Sequence, residues 1–123
     1  MAETKKILIV DDEKPLANAL MLKLSNEGFS PTIAGDGEEV LKLLESESFD
    51  LMLLDLMMPK MDGFGVLAEL QKRQIATPVI VTSNLSQDED KSKALQMGAK
   101  EYIVKSDTSL NEIVQHIKTL LSA

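Results

Sequence analysis

Short apolar runs alternate along this chain with longer stretches in which apolar residues recur every three or four positions. Lys5-Lys6-Ile7-Leu8-Ile9-Val10 is a β-branched run that stops at Asp11-Asp12-Glu13, which predicts a first strand. Pro15 suits the first turn of a helix, and Leu16, Leu20 and Leu24 then repeat at intervals of four along one face. Asn26-Glu27-Gly28 ends that helix, with Gly28 suited to the left-handed position that follows it. Ser30 to Ala34 reads as a weaker strand, and Pro31 places it at a sheet edge. Gly35-Asp36-Gly37 turns into a helix carrying Val40, Leu41, Leu43 and Leu44.

The next run, Leu51-Met52-Leu53-Leu54, ends abruptly in the carboxylate of Asp55. Apolar residues without alternation are what a central parallel strand requires, because helices cover both its faces. Pro59 and Asp62-Gly63 break the chain and lead into a helix from about Gly63 to Arg73 that buries Phe64, Leu67 and Leu70. Thr77-Pro78 introduces a fourth buried strand, Val79-Ile80-Val81-Thr82, which ends on a hydroxyl. Ser86 to Met97 is a polar helix whose apolar positions are mainly Ala94, Leu95 and Met97, and Gly98 ends it. Tyr102-Ile103-Val104-Lys105 supplies a fifth strand ending on an ammonium. In the last helix Leu110, Ile113, Val114, Ile117, Leu120 and Leu121 form one stripe.

Strand and helix thus alternate five times with short connections, which predicts an α/β fold. A parallel sheet carries helices on both faces, joined by right-handed crossovers. The 123 residues show no repeat, low-complexity segment or linker, so residues 1–123 are expected to form a single domain without an output domain. A content of 44% hydrophobic and 27% charged residues is ordinary for a folded soluble chain. No apolar run approaches the roughly 20 residues of a membrane span. Met1 to Lys6 shows no signal-peptide pattern, and the absence of cysteine excludes disulfides and thiolate chemistry. A cytoplasmic protein is expected. The net charge of −7 argues against phosphate-driven binding to nucleic acid and leaves protein partners open.

The strand ends carry the chemistry. In a parallel sheet all carboxyl ends lie on one edge, where open α/β sheets place their sites. Asp11 and Asp12, Asp55, Thr82 and Lys105 follow four different strands and fall at that edge. Clustered carboxylates repel one another unless a cation joins them. Hard oxygen ligands suit Mg²⁺, with Mn²⁺ as an alternative, better than zinc or copper. Lys105 can balance charge on a phosphoryl oxygen held there, and Thr82 can donate to another. Asp55 can act as nucleophile, since carboxylates form aspartyl phosphates.

With Asp11-Asp12, Asp55 followed by Met58-Pro59 and Asp62-Gly63, Thr82, Met97-Gly98-Ala99, Tyr102 and Lys105 in this order and spacing, the chain resembles a response regulator receiver domain over essentially its whole length. The resemblance implies a flavodoxin-like (βα)5 fold with strand order 2-1-3-4-5. It implies phosphorylation of Asp55 from the phosphohistidine of a sensor histidine kinase or phosphotransfer protein. Asp12 and Asp55 would bind Mg²⁺ directly, Asp11 mainly through water, and the Met57 backbone carbonyl would complete the protein ligands. Thr82 and Tyr102 would form the switch to the face of the fourth helix, fifth strand and fifth helix, which binds a downstream protein or output domain. Met57 and Asn84 lie where they can tune hydrolysis of the phosphoryl group.

Two positions depart from the family pattern. Ser106 replaces the usual proline after the lysine, so a trans Lys105-Ser106 bond is expected. His116 stands near where dimerising, DNA-binding members carry arginine, and it reads as a solvated helix residue. Competing functions are less well matched. A flavodoxin-type FMN protein needs a hydroxyl- and glycine-rich phosphate loop where this chain has Asp11-Asp12-Glu13. An aspartyl phosphatase needs a nucleophile and acid two residues apart after one strand. A degenerate receiver that only binds partners remains the alternative.

Overall fold

The computed structural model describes residues 4–58, 61–84 and 88–122. Five strands alternate with five helices: β1 (Lys6–Val10), α1 (Lys14–Asn26), β2 (Ser30–Ala34), α2 (Gly37–Ser46), β3 (Leu51–Asp55), α3 (Gly63–Lys72), β4 (Val79–Ser83), α4 (Asp88–Gln96), β5 (Glu101–Val104) and α5 (Leu110–Ser122). All pairings are parallel and the sheet order is β2-β1-β3-β4-β5. β3 and β4 are buried at every residue, as uninterrupted apolar runs require, and β2 with Pro31 lies at the edge. Pro59 and the expected helix start at Ser86 lie outside the described residues.

The pleat divides the core in two. Leu8, Val10, Met52, Leu54, Val79 and Val81 pack with Val40, Val66, Leu67, Leu70 and Ala94, on the side of α2, α3 and α4. Ile7, Ile9, Leu51, Leu53, Ile80 and Ile103 pack with α1 and α5 through Ala17, Leu20, Leu24, Ile113, Val114 and Ile117. Successive strand residues therefore serve opposite layers.

Helix ends follow local chemistry. Pro15 occupies the first turn of α1. The Asp36 and Asp62 carboxylates each accept a backbone N–H, from Glu39 and Gly65. A reciprocal capping box starts α5: Ser109 Oγ accepts from Glu112 N–H at 3.1 Å, and the Glu112 carboxylate accepts from Ser109 N–H at 3.1 Å. Gly28 and Gly98 take φ of 93° and 107° after α1 and α4, where a side chain would be strained.

Several expectations are corrected in detail. The fifth strand ends at Val104, and Lys105–Asp107 form a 3-10 turn. Thr108 causes this, donating from its N–H to Lys105 O at 3.3 Å and from its hydroxyl to Val104 O at 2.9 Å. There is no cis peptide bond among the described residues, so the Lys105-Ser106 bond is trans as expected. In α3 Leu67 and Leu70 are buried as expected and Val66 joins them, whereas Phe64 is only half-buried with the Lys93 ammonium 4.3 Å over its ring. Leu95 of α4 is 40% exposed and Ala94 takes the core position.

Met61 links α2 to α3 through two glycines. A Cβ at Gly65 would lie 2.7 Å from Met61 Cγ, and one at Gly37 would lie 2.7 Å from Met61 Cβ and 3.0 Å from its carbonyl oxygen. Gly65→Ala and Gly37→Ala are each expected to lower stability by about 1–3 kcal/mol, overpacking exceeding the gain in helix propensity of up to ~1 kcal/mol. Urea denaturation checks this. Met61→Ala should rescue Gly65→Ala, whose clash it deletes, and leave Gly37→Ala unrescued, because Cβ and the carbonyl oxygen remain.

Candidate acidic site at the carboxyl edge of the sheet

Strand register brings the site together. Val10 pairs with Leu54, so the register continues to Asp11 beside Asp55, and Asp55 in turn pairs with Thr82. By the period of two, Asp11 extends the column of Ile7 and Ile9, Asp55 that of Leu51 and Leu53, and Thr82 that of Ile80. Three polar residues thus replace the next apolar layer on the α1 and α5 side of the sheet. All three are buried, at 4%, 3% and 5% exposure. Asp12 is exposed at the mouth.

Lys105 enters this row from the 3-10 turn. Its ammonium donates to Asp11 Oδ2 at 2.7 Å and lies 3.3 Å from Asp55 Oδ2 and 3.8 Å from Glu13 Oε1. The other oxygens of the buried acids hold the backbone. Asp11 Oδ1 accepts from Glu13 N–H at 2.9 Å, and Asp55 Oδ1 accepts from Met57 N–H at 3.2 Å. Gly63 lets α3 start hard against the strand end. A Cβ there would lie 2.8 Å from both Asp55 O and Leu56 Cα.

Burial pushes the Asp55 carboxyl up to about 6, and the charge of Asp11 adds to this against the pull of Lys105 and the Met57 N–H. Burial alone would lower the Lys105 ammonium. Its hydrogen bond to Asp11 and the charges of Asp55, Asp11 and Glu13 outweigh that and hold it above the ordinary lysine value. One carboxylate oxygen from each of Asp11, Asp12 and Asp55 lies within 4.8 Å of the others, and no other such group could hold a metal among the described residues. Three hard anionic donors, one of them partly protonated by burial, fit a divalent cation of the Mg²⁺ type.

The remaining expected residues lie nearby or beyond. Met57 follows Asp55 with its side chain 61% exposed, and Asn84 is exposed just past β4. Tyr102 pairs with Val81 in register and packs half-buried against the α3 and α4 layer. His116 is exposed, as expected of a solvated helix residue, with Nδ1 2.5 Å from the Glu101 carboxylate. The sequence pattern does not single out Glu13, whose one signal is a third acid directly after the Asp11-Asp12 pair.

In the metal-free protein the raised Asp55 value has a definite sign. Between about pH 4 and 6 the folded state holds more protons at this carboxyl than the unfolded state, so stability falls as pH rises through that window. Asp55→Asn is expected to be about 1–3 kcal/mol more stable than wild type at pH 7.5 in chelator. The advantage should shrink as pH drops from 6 to 4, and Mg²⁺ should stabilise the wild type selectively. Thermal unfolding across pH, with and without Mg²⁺, checks all three.

A model of the response regulator receiver domain family matches residues 7–118. The alkaline phosphatase synthesis transcriptional regulatory protein PhoP of Bacillus subtilis is 37% identical over 117 residues, covering 95% of this chain and 48% of that protein. Regulatory protein VanRc of Enterococcus gallinarum is 38% identical over 118 residues, covering 96% and 50%. The chain therefore spans about half the length of the curated relatives it matches. Among solved structures, a Francisella response regulator receiver domain superposes with a TM-score of 0.90 at 33% identity, over 97% of this chain and 98% of that one. Response regulator TrrA of Thermotoga maritima, in complex with Mg²⁺ and BeF, does so at 0.83 and 33%, over 95% and 99%. The alternation of five strands and helices, the buried acids at the sheet edge and these likenesses agree: the chain belongs to the response regulator receiver domain family of two-component systems.

Proposed function

We propose that this chain is a single receiver domain in which Asp55 accepts a phosphoryl group from the phosphohistidine of a sensor histidine kinase or phosphotransfer protein, with Mg²⁺ required. The observation that carries this reading is the position of Asp55. It is 3% exposed at the end of a central strand, faces Lys105, and shares a cluster with two further carboxylates. An Asp55 oxygen attacks phosphorus, the P–N bond to the imidazole breaks, and the electron pair leaves with the histidine nitrogen. Asp11, Asp12, Asp55 and the Met57 carbonyl would hold Mg²⁺, which supplies charge neutralisation for the phosphoryl oxygens when bound. Mg²⁺ in the Thermotoga relative supports the same ion here.

The chain's own residues do the rest. The Met57 N–H orients the Asp55 carboxylate through Oδ1. Lys105 neutralises one phosphoryl oxygen, and Thr82, adjacent to Asp55 in register, donates its hydroxyl to another. Thr82 and Tyr102 bias the face of α4, β5 and α5 toward a downstream partner, while Met57 and Asn84 border the route of attacking water and tune hydrolysis. Such a domain is a signalling module whose only chemistry is gaining and losing its own phosphoryl group.

No helix among the described residues is long and apolar enough to cross a membrane. A cytoplasmic location follows from the proposed kinase partnership. The net charge of −7 speaks against nucleic-acid binding by these residues alone. That expectation does not extend to a longer protein: relatives of about twice the length are named as transcriptional regulators, and an output domain contacting DNA fits the same reading.

Incubation with Mg²⁺ and a small acyl phosphate should add one phosphoryl group to the intact mass of the wild type, and none without metal. Asp55→Asn should fold and stay unlabelled, and labelling of that variant at the wild-type level would sink the assignment. Asp12→Ala should weaken Mg²⁺ binding measured by calorimetry.

A further inference from the structure

Lys105 has three donors on its ammonium and three carboxylates around it, at 2.7, 3.3 and 3.8 Å. Two of them, Asp11 and Asp55, belong to the cluster suited to a divalent cation, and the third, Glu13, does not. Asp11 Oδ1 already accepts from the Glu13 N–H and Oδ2 from Lys105, so a cation drawing on this carboxylate competes with one of the two hydrogen bonds. A divalent cation held at Asp11, directly or through water, therefore competes with the lysine for the same carboxylate. The Lys105 side chain is 7% exposed, and moving its ammonium off Asp11 with no other anion in reach would leave a buried charge uncompensated. Glu13 meets that need. Its carboxylate is 50% exposed, so it can follow the ammonium with little loss of solvation.

We propose that Glu13 is a positioning residue for Lys105: when Asp11 and Asp55 take a divalent cation, the lysine ammonium transfers to the Glu13 carboxylate, which keeps it at the mouth of the site for an incoming phosphoryl group. This inference rests on the metal reading above. It makes Glu13 act through Lys105 and not as a ligand. Its loss should raise the free energy of the metal-bound state more than that of the free state.

Mg²⁺ titration by calorimetry in a double-mutant cycle separates this role from simple attraction between charges, because direct attraction of the Glu13 carboxylate for the cation would persist without Lys105. Glu13→Gln should lower Mg²⁺ affinity about threefold to tenfold when Lys105 is present. Lys105→Met, which deletes the competing cation, should raise affinity, and adding Glu13→Gln to it should lower affinity by clearly less than it does when Lys105 is present. Equal losses from Glu13→Gln in both backgrounds, or no loss in either, would overturn the role of Glu13 while leaving the metal site standing. Absence of Mg²⁺ binding by the wild type would overturn the metal reading and this inference with it. NMR of the Lys105 Cε–Hε group tests the transfer without altering the lysine. Mg²⁺ should shift that signal differently in wild type and Glu13→Gln, and identical shifts would overturn the proposal.

Discussion

Everything at the edge of this sheet is arranged around one buried ammonium. Without Lys105, Asp11 and Asp55 would be like charges held side by side by strand register, each nine-tenths or more out of water. Coulomb repulsion and desolvation would then both act against folding. With Lys105 between them the pair is tolerable but not relaxed, and Asp55 still holds its proton up to about pH 6. That residual strain is useful. A site that is already neutral has little use for a divalent cation, and one with no counter-ion would hold two buried like charges side by side.

The same register explains why the site needs no loop of its own. Asp11, Asp55 and Thr82 are each the next residue in a column that is apolar further down the strand, so the layer packed on α1 and α5 turns polar at its upper end. Packing precision in the core is thereby passed to the site, because displacing one carboxylate means displacing the strand beneath it. Gly63 adds a second restraint, since α3 begins in van der Waals contact with the Asp55 carbonyl.

Much of this is legible in the chain because burial on both faces leaves a plain signature. β3 is an apolar run up to Asp55 and β4 up to Thr82, one residue short of the strand's end at Ser83, and the polar residues that close the two runs are the ones that meet. Two kinds of feature escape such a reading. The end of β5 is decided by hydrogen bonds from Thr108, a polar residue three positions past Lys105, so the apolar pattern carries the strand one residue too far. Glu13 lies in an acidic run and comes within reach of Lys105 only through the folding together of β1 and β5-proximal chain, which no local spacing encodes. Likewise Val66 is buried beside Leu67 in α3, while Phe64, the larger apolar residue, stays half-exposed under the ammonium of Lys93.

The 3-10 turn at Lys105 has a mechanical consequence. Its backbone is tied by the Thr108 N–H and hydroxyl, and the next residue, Ser109, is locked into the capping box of α5. The four methylenes of the lysine are the slack in this arrangement. An exchange of partners among carboxylates 2.7 to 3.8 Å away can be taken up by side-chain torsions while the turn stays put. The turn is thus a fixed pivot between the moving ammonium and the first residues of α5.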